Sequence, residues 1–94
     1  QIDGGKVLFR YYSPSAKTVT IAGDFNGWEY KQDQSRAIYL KPNDKYIWSA
    51  AVPLSPGRYR YKVVIDYQSW ILDSNNPLTE DDGTGNLNSL IIVK

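Results

Sequence analysis

The sequence predicts an all-β fold, an immunoglobulin-like β-sandwich of about seven short antiparallel strands. Three observations lead there. The dominant hydrophobic period is two, no segment keeps a helical period over about ten residues, and Pro/Gly turn signals recur roughly every 8–12 residues. In Lys6–Tyr12, Val7, Phe9 and Tyr11 alternate with Leu8, Arg10 and Tyr12. Residues Ser13–Lys17 form a connection, because Pro14 cannot donate to a sheet ladder. In Thr18–Gly23, Val19 and Ile21 alternate with Thr18, Thr20 and Ala22. Ala37–Lys41 reads as a short strand closed by Pro42-Asn43-Asp44, and Tyr46–Val52 as the next, ended by the Pro53–Gly57 turn. The longest alternation is Arg58–Asp66, with Tyr59, Tyr61, Val63 and Ile65 facing one way and Arg58, Arg60, Lys62, Val64 and Asp66 the other. Trp70–Leu72 is a short run, and Leu90–Val93 closes the chain as an apolar strand.

Ninety-four residues make one small domain with a thin core, and residues 1–94 are read as a single module. A chain that opens on Gln1 is expected to be a fragment or processed product of a larger protein. Eleven Lys and Arg against ten Asp and Glu give a net charge of +1, which offers no general grip on nucleic acid or anionic membrane. The chain has no Cys and no His, so thiol catalysis, disulfides, Cys/His metal ligation and a Ser–His–Asp triad are excluded. The missing Cys also separates it from antibody-type domains. No apolar run approaches the ~18–20 residues of a membrane-spanning helix. Three Trp, eight Tyr and two Phe are many aromatics for this length, and they favour a binding module over an enzyme.

Two connections are too long and polar for simple hairpin loops: Gly23–Arg36 and Asp73–Ser89. Long loops on a rigid sandwich are where binding residues collect. The segment Phe9-Arg10-Tyr11, followed by Val19-Thr20-Ile21-Ala22-Gly23-Asp24-Phe25-Asn26-Gly27-Trp28, resembles the opening of the family 48 carbohydrate-binding modules. Leu54–Lys62, with its Gly57, Tyr59, Tyr61 and Lys62, Asp66–Trp70 and Asn88–Val93 match that family in order, across nearly the whole chain. The resemblance implies an immunoglobulin-like sandwich that holds α-1,4-glucan on one exposed surface. It implies that Trp28 and Trp70 stack on sugar while Lys62 and Asn88 hydrogen-bond to it. The family's protruding Leu falls on Leu87 or Thr84. The Asp66–Trp70 turn is one residue longer than the family's tighter version, which changes the aim of Trp70.

The same residue types suit a sugar on physical grounds. A flat aromatic covers the apolar face of a pyranose, Lys offers three donors, and Asn both donates and accepts. Lys62 shares its strand face with Arg58 and Arg60, so Arg60 is the competing polar contact. Trp48 alternates with Ala50 and Val52 and is assigned to the core, as are Tyr59 and Tyr61; Phe25 anchors the Gly23–Trp28 turn. Asp73, Glu80, Asp81 and Asp82 could suggest Ca²⁺ or glycosidase carboxylates. Their spacing matches no EF-hand, and acids on a loop offer no rigid cleft, so they are read as solvated charge.

The expected function is thus non-catalytic binding of glycogen, starch or malto-oligosaccharide, without a cofactor, by a monomer tied to a catalytic or regulatory parent protein. No nucleic acid or membrane partner is expected, and glycogen or starch would place it in the cytoplasm or a plastid. The alternative is an accessory structural domain that packs on a glucan-active enzyme or partner proteins and has no working sugar site. Solvent exposure of Trp28 and Trp70 on one face separates the two.

Overall fold

The period-two alternation becomes two facing antiparallel sheets in the computed structural model, which describes residues 2–3 (backbone only) and 5–94. One sheet has the order β1 (Ile2–Asp3), β2 (Lys6–Tyr12), β6 (Ile47–Pro53), β5 (Lys41–Pro42). The other runs β4 (Ile38–Tyr39), β3 (Val19–Gly23), β7 (Gly57–Ile65), β10 (Leu87–Val93), β9 (Thr79–Asp81), with β8 (Ser69–Ile71) also paired to β7. The all-β sandwich stands as predicted, divided into more and shorter pieces than the expected seven.

The residues 37–41, read as one strand, are split between the sheets. Ile38 and Tyr39 pair with β3, whereas Lys41 and Pro42 pair with β6. Leu40, buried between them, donates its N–H to the carbonyl of Val19 at 2.9 Å. A single alternation cannot describe a chain that crosses from one sheet to the other. Pro42 lies on the outermost strand of its sheet, where a missing donor costs no ladder bond.

The inward faces meet in one apolar cluster. Val7 and Phe9 of β2 with Trp48 and Val52 of β6 pack against Val19 and Ile21 of β3 and Tyr61 and Val63 of β7. Trp48 is core, as its alternation predicts, and its indole N–H donates to the Ser13 carbonyl at 2.9 Å. Tyr61 is core too. Its hydroxyl donates to Asp73 Oδ2 at 2.7 Å and accepts from Asn76 Nδ2 at 3.0 Å. Burial pushes this phenol far above the ordinary tyrosine range; the Asn76 bond opposes the rise and Asp73 adds to it. Phe25 does anchor its turn, with its ring centroid 5.8 Å from Phe9, 6.0 Å from Tyr59 and 6.2 Å from Tyr61.

On the outward face of β7, alternation puts Arg58, Arg60, Lys62 and Val64. Val64 is nevertheless 0% exposed, as is its cross-strand neighbour Thr20. The connection from Asp24 to Ala37 folds over them. Asn26, itself 3% exposed, holds that connection down. Its Nδ2 donates to the carbonyls of Ile21 (3.1 Å), Glu29 (3.0 Å) and Arg36 (3.0 Å), and its Oδ1 accepts from Gly23 N at 3.0 Å. The turn begins at Gly23, where a Cβ would lie 2.7 Å from both the Arg60 carbonyl oxygen and Tyr61 Cβ; only glycine lets the strands approach so closely.

Among the described residues, four that are not glycine have left-handed backbones: Trp28 (φ 61), Tyr46 (φ 62), Asp66 (φ 53) and Tyr67 (φ 61). Each such residue costs on the order of 1–3 kcal/mol. Asp66 offsets part of this at the β7–β8 turn, where its Oδ1 accepts the N–H groups of Lys17 (2.7 Å) and Thr18 (3.0 Å). Those bonds hold its carboxyl below the usual carboxylate range.

Two stability outcomes are expected. Asn26→Asp turns a donor facing three carbonyls into a buried carboxylate, a change worth at least about 3 kcal/mol. At neutral pH its thermal midpoint should fall by more than about 12 °C, and a drop under about 4 °C contradicts the role given to Asn26. Because the folded pKa of Asp66 lies below its unfolded value, its contribution is complete above about pH 4 and is lost as the pH falls further. Urea midpoints followed from neutral pH to about pH 2.5 should therefore decline less steeply in Asp66→Asn than in the parent.

Candidate functional site

The site residues are set out along β7. Asp24 lies beside Arg60, with Asp24 N donating to the Arg60 carbonyl at 2.9 Å. Asp24 Oδ2 accepts Arg60 N at 2.9 Å and Arg60 Nε at 3.4 Å, while its Oδ1 accepts the Trp28 indole N–H at 3.1 Å. One carboxylate thus places the Trp28 ring at the level of Arg60. The left-handed backbone at Gly27 (φ 67) and Trp28, with Trp28 N on the Gly23 carbonyl at 3.0 Å, turns that ring back over the sheet.

Trp70 stands at the other end of the row. It pairs with Val64, which pairs in turn with Thr20, so the three share the outward face. The Tyr30 ring meets Trp70 edge-on, with centroids 4.6 Å apart, and the Tyr30 carbonyl accepts the Thr20 hydroxyl at 3.2 Å. Val64, the cross-strand neighbour of Trp70, is fully buried. Trp70 is 38% exposed, so it is both a packed residue and a surface one. The longer Asp66–Trp70 turn does not carry it off this face.

Lys62 lies between the two levels, four residues separating Arg60 from Val64, or about 13 Å at ~3.3 Å per residue. Lys62 faces the same side, and Ser89 pairs with Tyr61, which brings Asn88 of β10 to the level of Lys62. Asn88 is 8% exposed. Among the described residues, neither the Lys62 ammonium nor the Asn88 side-chain amide makes a protein hydrogen bond or ion pair. Two unengaged polar groups therefore sit side by side, flanked by an indole at each end. Arg60, the competing candidate, has its Nε committed to Asp24. Leu87 is exposed at the start of β10, and Thr84 lies in the preceding loop with its hydroxyl donating to Asp82 Oδ1 at 2.6 Å. Tyr30 and Asp24 were not singled out from sequence. The signal for a cover was the apolar Val64 in a row otherwise made of Arg58, Arg60 and Lys62.

The acidic residues are engaged one by one. Asp73 is not the solvated charge expected of it: it is buried, its Oδ2 taken by the Tyr61 hydroxyl, whereas Glu80 pairs with Arg58 at 2.6 Å. Asp81 Oδ1 accepts Gly83 N and Gly85 N, and Asp82 Oδ1 accepts Thr84 N. The Thr84 bonds hold the Asp82 carboxyl below its usual range. Among the described residues no group of three or more His, Cys, Asp or Glu is placed to hold a metal ion.

The relatives bear on this geometry. The family model described as carbohydrate-binding module 48 (isoamylase N-terminal domain) matches residues 1–79. A 1,4-alpha-glucan branching enzyme, GlgB 2 of Clostridium perfringens, is 33% identical over 76 residues, covering 81% of this chain and 10% of the relative. The branching enzyme GlgB of Bacillus cereus is 35% identical over 60 residues, 64% of this chain and 9% of the relative. That of Synechococcus sp. is 35% identical over 65 residues, 66% and 8%. The matched part of the chain spans about a tenth of the length of these relatives. The first ladder strands, the Asn26 turn, Lys62 and Trp70 all lie within the matched residues, and on this ground the chain belongs to the carbohydrate-binding module 48 family.

Proposed function

We propose that this module binds α-1,4-glucan without catalysing its reaction, and that it keeps a larger protein on the polymer by raising its effective concentration. The observation that carries the proposal is the pair of unengaged polar side chains, Lys62 and Asn88, on a face whose ends are marked by Trp28 and Trp70. An indole covers the apolar face of one pyranose, removing ~60–80 Å² from water, worth about 1.5–2 kcal/mol before binding costs. The Lys62 ammonium and the Asn88 amide supply donors and an acceptor for the hydroxyls between the rings. Two platforms and a few hydrogen bonds give dissociation constants in the ~10 µM to 1 mM range. The branching enzymes that resemble this chain are named for action on 1,4-alpha-glucan, which supports the choice of sugar.

A second reading, an accessory sandwich packed on a glucan-active enzyme, draws on a different face. A cleft of about 880 Å³ opens between β2 and β10, lined by Phe9, Ile47, Leu78, Leu90 and Ile92, and Leu78 and Ile92 are exposed there. Sugar binding at the outward face of β7 is the property this reading lacks.

Titration with maltoheptaose, followed by tryptophan fluorescence or calorimetry, decides between them. Lys62→Ala removes no protein hydrogen bond or ion pair among the described residues, so it should leave stability within about 0.5 kcal/mol and weaken maltoheptaose binding at least about fivefold, about 1 kcal/mol. Trp70→Ala should weaken it at least about tenfold. Because the ring also packs on Tyr30, this variant should lose about 1–3 kcal/mol of stability, less than the ~3–5 kcal/mol of a fully buried Trp. Parent affinity retained in both variants would sink the proposal. Selectivity gives a separate check: β-linked cellooligosaccharides extend as flat ribbons, whereas rings on two levels fit a curved chain. Cellohexaose should bind at least about tenfold more weakly than maltoheptaose, and equal binding speaks against an α-glucan ligand.

A further inference from the structure

The outward face carries aromatic surface beyond the two tryptophans. Tyr39 of β4 pairs with Thr20, which pairs with Val64 and through it with Trp70, so Tyr39 ends the same cross-strand row. Ile38 beside it packs on the core, which leaves the Tyr39 ring on the outward side, 39% exposed. The Tyr67 hydroxyl lies 2.9 Å from that of Tyr39, and the two rings meet edge to face at 6.3 Å. Sharing the proton in this contact pushes the Tyr39 phenol up to about 12, with burial and the nearby Asp33 adding to the rise. Tyr39 therefore stays neutral. One hydroxyl donates to the other, and the second keeps a free proton and lone pairs for an outside partner.

Tyr67 sits in a turn where its own backbone and that of Asp66 are both left-handed. Trp28 is the other aromatic residue of this face held left-handed. Strained side chains gather where a fixed geometry is used, and here both present rings outward. Between Trp70 and the tyrosine pair lies Tyr30, with Lys31 Nζ 5.5 Å from its ring centre. Beside Tyr67, a recess of about 280 Å³ is lined by Lys17, Thr18, Asp66 and Gln68, groups able to meet sugar hydroxyls.

We propose that the Tyr39–Tyr67 pair is an extension subsite that receives further glucosyl residues of a chain already held at Trp70. Tyr39 is three strand spacings from Trp70, about 14 Å at ~4.8 Å each, a span of roughly three glucosyl units. Tyr30, against Trp70 and bonded to Thr20, lies within that interval. The inference rests on the glucan reading of the Trp28–Trp70 face and adds a preference for longer chains.

The test compares maltotriose with maltoheptaose in the parent, Tyr67→Gly and Tyr39→Ala, by calorimetric titration. Glycine adopts the left-handed backbone freely, so Tyr67→Gly keeps the turn while deleting the ring. The parent should prefer maltoheptaose, and in both variants that preference should fall at least about threefold while maltotriose affinity stays within about twofold of the parent's. A Tyr67→Gly protein that keeps the full preference overturns the subsite. A parent that binds both sugars with one affinity overturns it as well, and leaves the tryptophan face standing. A parent that binds neither sugar removes the glucan reading and the extension that rests on it.

Discussion

Two amide hydrogens of Asn26 face three backbone carbonyls, those of Ile21, Glu29 and Arg36, and its oxygen takes the N–H of Gly23. These partners come from β3 and from the middle and far end of the connection that follows it. The amide therefore pins the interior of a loop whose ends are joined by the β3–β4 ladder. With that loop down, Tyr30 covers Thr20 and meets Trp70, and Val64 can be apolar on a face that would otherwise meet water. An amide suits this position because it donates twice and accepts through the same group. The buried polar cluster is fully paired, the condition under which such a cluster stabilises a unique arrangement.

The candidate site also depends on a carboxylate whose two oxygens both take protein donors. Asp24 accepts a backbone N–H and the Nε of Arg60 on one oxygen and the indole of Trp28 on the other. It orients the ring through its nitrogen, leaving the faces of the indole uncommitted by that bond. Arg60 is drawn into the support, and Lys62, two residues on, is left without a protein partner among the described residues. Neighbouring cations on one strand face thus have different duties, because Arg58 and Arg60 each lie beside an acid and Lys62 makes no ion pair among the described residues.

Much of this was legible in the sequence. The alternations at Lys6–Tyr12 and Arg58–Asp66 predict β2 and β7 to within a residue, and the inward assignment of Trp48, Tyr59 and Tyr61 follows from parity. Parity also predicts that Lys62 and Val64 share a face. It does not predict that the face is covered at Val64, because the cover comes from a loop whose path is set by side-chain hydrogen bonds rather than by a repeat. The split of residues 37–41 between sheets escaped for a related reason: two-residue strands have too few positions to show a period. Tyr39 and Tyr67 are far apart in sequence, and Tyr39 stands in no motif. Only the register of β4 on β3, and a left-handed turn without glycine, bring them together.

The dipeptide Asn26-Gly27 has a chemical side that its place in the fold controls. In a loose chain the backbone nitrogen after an Asn can attack the side-chain carbonyl, most readily when Gly follows, and the resulting succinimide opens to aspartate or isoaspartate. That attack needs the amide to swing toward its own backbone. Here four hydrogen bonds hold it in the opposite duty, under a nearly complete cover. The folded module therefore shelters the bond whose loss would undo the loop. Each excursion to an open chain exposes it again, and aspartate or isoaspartate cannot donate where Asn26 did. Molecules of this protein then age at a rate set by how often they open, and chemical damage accumulates in the population as chains that no longer close.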